Sequence, residues 1–123
     1  MVLGIATVDP VFQALLNGAP FGVTVHFMTP ELDAGEILAQ RIVETRPGAS
    51  VFEATALCFR EGAELLAAAI DRVAAGEGGE PQSGAGSYQS WPTSAEVAAL
   101  HARGGALARV IDFVRLLGGR LPR

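Results

Sequence analysis

The residues best suited to acid-base chemistry crowd one short connection, TPELDAGE, where Glu31, Asp33 and Glu36 surround Gly35. Carboxylates held close together raise one another's pKa values, so one of them could accept or donate a proton near neutrality. A solvated acidic turn is the alternative, and spacing alone favours it. His26 lies a few residues earlier, in a run whose period of two sets it opposite Val23, Val25 and Phe27. Position alone suits a structural histidine there. His101 falls on a helical stretch near Arg103, where a surface role fits best. Cys58, flanked by Ala56, Leu57 and Phe59, reads as a small buried hydrophobe, and two distant histidines with one cysteine give no metal-ligand spacing. The chain has no Gly-x-Ser-x-Gly elbow. Its glycine-rich run at 76–86 lacks the Gly-Lys-Ser/Thr ending and does not join a strand to a helix, which removes a phosphate loop from consideration.

These residues need elements to position them. From Gly22 the alternation of Val23, Val25 and Phe27 with Thr24, His26 and Met28 predicts a strand that Thr29-Pro30 ends. A second strand fits 37–44, with Ile37, Ala39 and Val43 on one side, Leu38, Gln40 and Ile42 on the other, and Arg41 interrupting the first face. The two would pair as antiparallel neighbours. Asp9-Pro10 reads as an N-cap with proline at the first helical position, opening a short apolar helix that Asn17-Gly18 closes. Ser50 and Glu53 form a capping box for a long amphipathic helix to about residue 75, with Leu66, Ile70 and Val73 on its inner face. The run at 76–86 reads as a mobile surface loop. Thr93 and Glu96 make a second capping box for a helix to about Arg103. Leu107, Val110, Ile111, Val114 and Leu117 then mark the apolar stripe of a last helix, docked on the body and ended by Gly118-Gly119. The fold class is α/β, in the order helix, strand, strand, long helix, two C-terminal helices, with segments at 1–75, 76–92 and 93–123.

At 123 residues the chain fits one domain and should bury roughly two-thirds of its unfolded surface. A hydrophobic content of 50% against 18% charged residues argues for a packed globule rather than a disordered chain. The net charge of -4 offers no field for nonspecific attraction of phosphate backbones, so direct nucleic-acid binding is not expected. The opening MVLGIATV has no positive flank and meets Asp9-Pro10 too soon for a signal peptide or a membrane span, which makes the cytoplasm the expected location.

The run GVTVHFMTPELDAGEILAQ, at 22–40, resembles the segment of the folate-dependent formyltransferases that reads Gly-[VT]-[TS]-[VI]-His and then Leu-Asp-x-Gly-x-Ile-[LI]-x-Gln. The preceding PVFQALLNGAPFG is similar to the family's helix and Asn-Gly turn, and the long helix from Ser50 falls where the family has one. The resemblance covers about 9–75 and loosens afterwards, although SYQSWPT looks slightly more like the methionyl-tRNA formyltransferase branch. It implies part of a Rossmann-like formyltransferase domain. Asp33 would be the catalytic aspartate and His26 a site-supporting histidine. Met28, Thr29, Leu32, Ala34 and Gly35 would wall the pocket for the donor, 10-formyltetrahydrofolate, and no metal is implied.

The family's oxyanion-holding asparagine and proton-transferring histidine come from an Asn-x-His motif leading into Ser-Leu-Leu-Pro. At that place this sequence reads MVLGIATV, and its single asparagine is Asn17. The expectation is therefore a chain that carries the later part of the catalytic domain and is inactive alone. A complementary chain with the N-terminal half would complete it, and a homodimer is the simplest way to close an exposed strand edge and the apolar first helix. A non-catalytic binding or structural module, or a fragment of a split or mis-called gene, is the alternative.

Overall fold

The computed structural model describes residues 3–6, 8–30, 35–82 and 92–119, with side chains described from Val11 onward. The order is β1 (Leu3–Ala6), α1 (Val8–Asn17), β2 (Phe21–Phe27), β3 (Ile37–Val43), α2 (Val51–Ala74), α3 (Ser94–Ala102) and α4 (Val110–Leu117). The expected α/β order is present, with one strand added in front. β1 pairs antiparallel with β2, setting Leu3 opposite Phe27 and Ala6 opposite Thr24, in a sheet ordered β1-β2-β3. That corrects the expectation of an exposed β2 edge, because the chain covers this edge with its own first residues. A four-residue strand carries no readable alternation, and only its partner across α1 makes it one.

α1 begins at Val8, which puts Asp9 and Pro10 inside the first turn rather than at the cap. Proline is tolerated there because first-turn N–H groups have no intrahelical acceptor. Val11, Phe12 and Ala14 are buried within the chain, while Leu15 and Leu16 are half-buried.

β2 and β3 pair from Phe21↔Val43 to Val25↔Ala39, and then the register slips so that His26 faces Ile37. Leu38 is the extra residue of this bulge. Strict alternation set Leu38 on the far face with Ile42, but the bulge turns Leu38 into the core while Ile42 stays 71% exposed. Arg41 shares the α2 side with Ala39 and Val43 and meets Glu61 at 2.6 Å and Glu64 at 3.6 Å on that helix. The hydrogen bond from Arg41 holds the Glu61 carboxyl below the usual carboxylate range.

The core lies between β2, β3 and α2, where Val23, Val25, Leu38 and Val43 meet Ala54, Leu57, Cys58, Leu65 and Ala69, together with the fully buried Val11 of α1. The inner face of α2 is thus rotated from the expected stripe: Leu66 and Val73 pack only at the edge and Ile70 is half exposed. Small residues at Ala54, Cys58, Gly62 and Ala69 let the helix lie close to the sheet, and their size hid this face in the sequence. Cys58 is fully buried, and that burial, with Glu61 nearby, pushes its thiol up to about 11. A disulfide reagent at pH 8 should leave Cys58 unmodified until the protein unfolds; rapid native labelling would contradict its packing. The raised value means that its contribution to stability is intact below the unfolded value of 9.0 and fades as pH climbs toward about 11.

Ser50 caps α2 by accepting from the Glu53 N–H at 3.0 Å, but the reciprocal half of the box is absent. The Glu53 carboxylate instead takes both Nε and Nη2 of Arg46 at 2.7 Å and Nη1 of Arg115 at 3.3 Å. The first N–H groups of α2, at Val51 and Phe52, donate to the carbonyls of Ala106 and Leu107. The second box is complete: Thr93 and Glu96 bond each other reciprocally, and Gln13 of α1 donates to Glu96 at 3.1 Å.

α4 departs most from expectation. Val110, Phe113, Val114 and Leu117 share one helix face and are 81%, 53%, 57% and 89% exposed, whereas Asp112 is buried. The helix docks by its polar side, through Asp112 to the Ser50 hydroxyl at 2.7 Å and Arg115 to Glu53, with Phe113 stacked on Phe52 at 5.8 Å. The apolar stripe was readable, but which side would meet the body depended on a buried acceptor for Ser50.

Candidate functional site

The β2–β3 connection is closed at its base by the Phe27 N–H, which donates to the Glu36 carbonyl at 3.0 Å. Gly35 is buried beside it. A Cβ at Gly35 would stand 1.5 Å from the Phe27 carbonyl oxygen, so this crossing of two backbones admits no side chain. The glycine of Asp-Ala-Gly-Glu is thereby required by contact rather than by turn geometry.

A second set of contacts reaches the connection from the far end of α2. Ile37 and Glu80 exchange both backbone hydrogen bonds at 2.7 Å, and the Gln82 side-chain amide donates to the Gly35 carbonyl at 2.7 Å. Arg72 donates to the carbonyl of the bulged Leu38 at 2.7 Å and pairs with Glu77. Residues 77–82 were expected to be part of a mobile loop and are instead strapped to the start of β3. Nothing in GEGGEPQ signalled this, because one bridge pair leaves no periodicity.

His26 is buried on the sheet face opposite the core, the face where Gln40 donates to Thr24 at 3.1 Å. Its Nδ1 lies 2.9 Å from the Phe27 carbonyl oxygen. A carbonyl can only accept, so Nδ1 carries the proton, and in the neutral ring Nε2 is left as the acceptor. The Phe27 backbone therefore joins three features: Glu36 on its N–H, and His26 and Gly35 at its carbonyl oxygen. Met28 and Thr29 continue from Phe27 as exposed residues. Leu32, Asp33 and Ala34 lie outside the described residues, as do Glu31 and most of SYQSWPT. His26 and Gly35 are thus brought together, while the position of the Asp33 carboxylate is not described. Sequence reasoning missed Arg72, Glu80 and Gln82.

Among the described residues, no three His, Cys, Asp or Glu side chains converge as a metal site would require, and no helix is long and apolar enough to cross a membrane.

The antiparallel strands, the glycine-locked connection and the long helix make an α/β arrangement. Comparisons with known proteins liken it to formyltransferases. Over 69 residues the chain is 42% identical to the methionyl-tRNA formyltransferase of Chloroflexus aurantiacus and 43% identical to that of Roseiflexus castenholzii. In each case the match takes in 55% of this chain and 22% of the relative. Among solved structures, the formyltransferase PseJ from Anoxybacillus kamchatkensis, in complex with UDP-4,6-dideoxy-4-formamido-L-AltNAc and tetrahydrofolate, superposes with a TM-score of 0.61. That match is 26% identical and covers 71% of this chain and 51% of that one. No family model matches. The chain is thus similar to formyltransferases over part of its length, and its matched part spans about a fifth of the length of the methionyl-tRNA enzymes.

Proposed function

We propose that this chain supplies the aspartate loop of a formyl-transfer site, one that moves a formyl group from 10-formyltetrahydrofolate to a primary amine. The observation that carries the reading is the locked connection: the family-like run at 22–40 forms β2, β3 and a loop fixed at its base by Gly35 and Phe27. The relatives' names supply the reaction type, and the tetrahydrofolate in the Anoxybacillus structure supports a folate donor.

In this scheme the amine attacks the formyl carbon, an oxyanion forms, and a proton leaves the nitrogen. Asp33 tunes the group that takes that proton, and His26 holds the base of the loop. Met28, Thr29, Leu32, Ala34 and Gly35 wall the donor pocket. The oxyanion donor and the acid-base imidazole have no counterpart among these residues, because Asn17 is engaged at the end of α1, where it donates to the Gln13 carbonyl at 2.8 Å. One oxyanion donor is worth about 10²–10³ in rate and a positioned acid-base group about 10²–10⁴, so transfer needs both from further sequence or a complementary chain.

The test is titration of a stable formyl-folate analogue into the protein, followed by release of tetrahydrofolate once a polypeptide carrying Asn-x-His is added. Saturable binding, with complemented turnover falling about 10²-fold in Asp33→Asn, is the expected result. No binding at millimolar analogue would reject the donor site and leave a non-catalytic module. A second copy of the chain lacks the same motif, so self-association would bury surface without completing the site, and a monomer by light scattering at micromolar concentration would exclude it.

A further inference from the structure

We infer that the protein has a second site, at the opposite end of the sheet from the β2–β3 connection, that binds a small oxyanion. A cavity of about 320 Å³ opens between the turn after β3 and the turn after α3, with Arg46 and Arg103 in its wall and Leu15 and Leu100 among its apolar lining. The connection precedes β3 and this cavity follows it, so the seven-residue strand separates them by roughly 20 Å.

The charge around the cavity is unbalanced. Arg46 gives Nε and Nη2 to Glu53, which leaves Nη1 outside that pair. Glu53 is shared with Arg115. Arg103 anchors one N–H on the Leu16 carbonyl and forms no ion pair among the described residues. Arg109 braces both turns, donating to the carbonyls of Gly48 and Gly104. Asp112 accepts from Ser50 and the Arg109 N–H. The cavity lining thus holds two guanidiniums, Arg46 and Arg103, and no carboxylate, in a protein whose net charge is -4. Gly48 and Gly104 hold positive φ values of 77° and 80°, so both turns keep bare backbone at the rim.

Guanidinium N–H groups match the paired oxygens of carboxylates and phosphates, and a concave wall of one sign focuses such anions. The apolar lining fits a carboxylate on a short alkyl body as well as a phosphate. Both share the oxyanion, and the experiment separates them.

Amide NMR of the 123-residue protein, titrated with sodium phosphate or sodium butyrate at constant ionic strength, reads the site directly. Saturable shifts at Gly48, Gly104 and Gly105 are expected, with tighter binding of butyrate or of phosphate naming the source. Arg103→Gln should weaken the better ligand about tenfold. Thr45→Tyr, which keeps both arginines and fills the mouth, should do the same, and it decides the matter if Arg103→Gln does not fold. Arg60→Gln removes a charge elsewhere and should leave binding unchanged. Shifts that chloride reproduces, or wild-type binding in Thr45→Tyr, would overturn the site.

Discussion

Gly35→Ala is expected to lower the unfolding free energy by about 3 kcal/mol or more, beyond most single substitutions. The new Cβ would fall 1.5 Å from the Phe27 oxygen and 2.5 Å from its carbonyl carbon. These are backbone atoms that no rotamer change can move. Separating the strands at this crossing would break the Phe27 bond to Glu36 and disturb the Gln82 bond to Gly35. A domain of this kind has roughly 5–15 kcal/mol in total, so the variant would sit near the edge of folding. Urea unfolding followed by circular dichroism should show a large drop in midpoint, and amide exchange should show lost protection at Phe27 and Ile37 first. A loss below about 1 kcal/mol would mean that the connection is not closed as described.

The second large effect belongs to the Ser50 hydroxyl, which is fully buried. It accepts from the Glu53 N–H and donates to Asp112, so one atom starts α2 and anchors α4. Ser50→Ala removes a cap worth about 1 kcal/mol and leaves the buried Asp112 one donor short, a further 1–3 kcal/mol or so. A loss of about 2–4 kcal/mol is expected. Asp112→Ala should overlap with it, and a double-mutant cycle should give a coupling of at least about 1 kcal/mol. Additivity of the two substitutions within about 0.5 kcal/mol would show that the hydroxyl and the carboxylate act independently.

How much of this was legible depended on whether a feature is local. β2 and β3 announced themselves by alternation, and α2 and α3 by Ser50 and Thr93 with an acid three residues on. The bulge at Leu38 was hidden because a one-residue slip becomes visible only against the partner strand. β1 was hidden for the same reason, since Leu3–Ala6 becomes a strand only when β2 lies beside it. The strap at Glu80 and the outward turn of α4 rest on a few long-range contacts, such as Glu80 with Ile37 and Asp112 with Ser50, which no window of sequence contains. For the site, Gly35 was legible as part of a resemblance, but its reason, the Phe27 carbonyl pressed against it, was not. Asp33 rests on the resemblance alone.

The inverted docking of α4 gives that helix an unusual relation to denaturant. Urea acts on a transition in proportion to the surface newly exposed, and α4 already shows its apolar face to water. Letting go of the body would bare little more than Asp112, part of the Phe52–Phe113 stack and the underside of one turn. Its detachment should thus be nearly indifferent to urea while the sheet and α2 unfold along a steep slope. The protein therefore contains two regimes of stability, a core governed by the area it hides and a terminal helix governed by the strength of a few polar bonds.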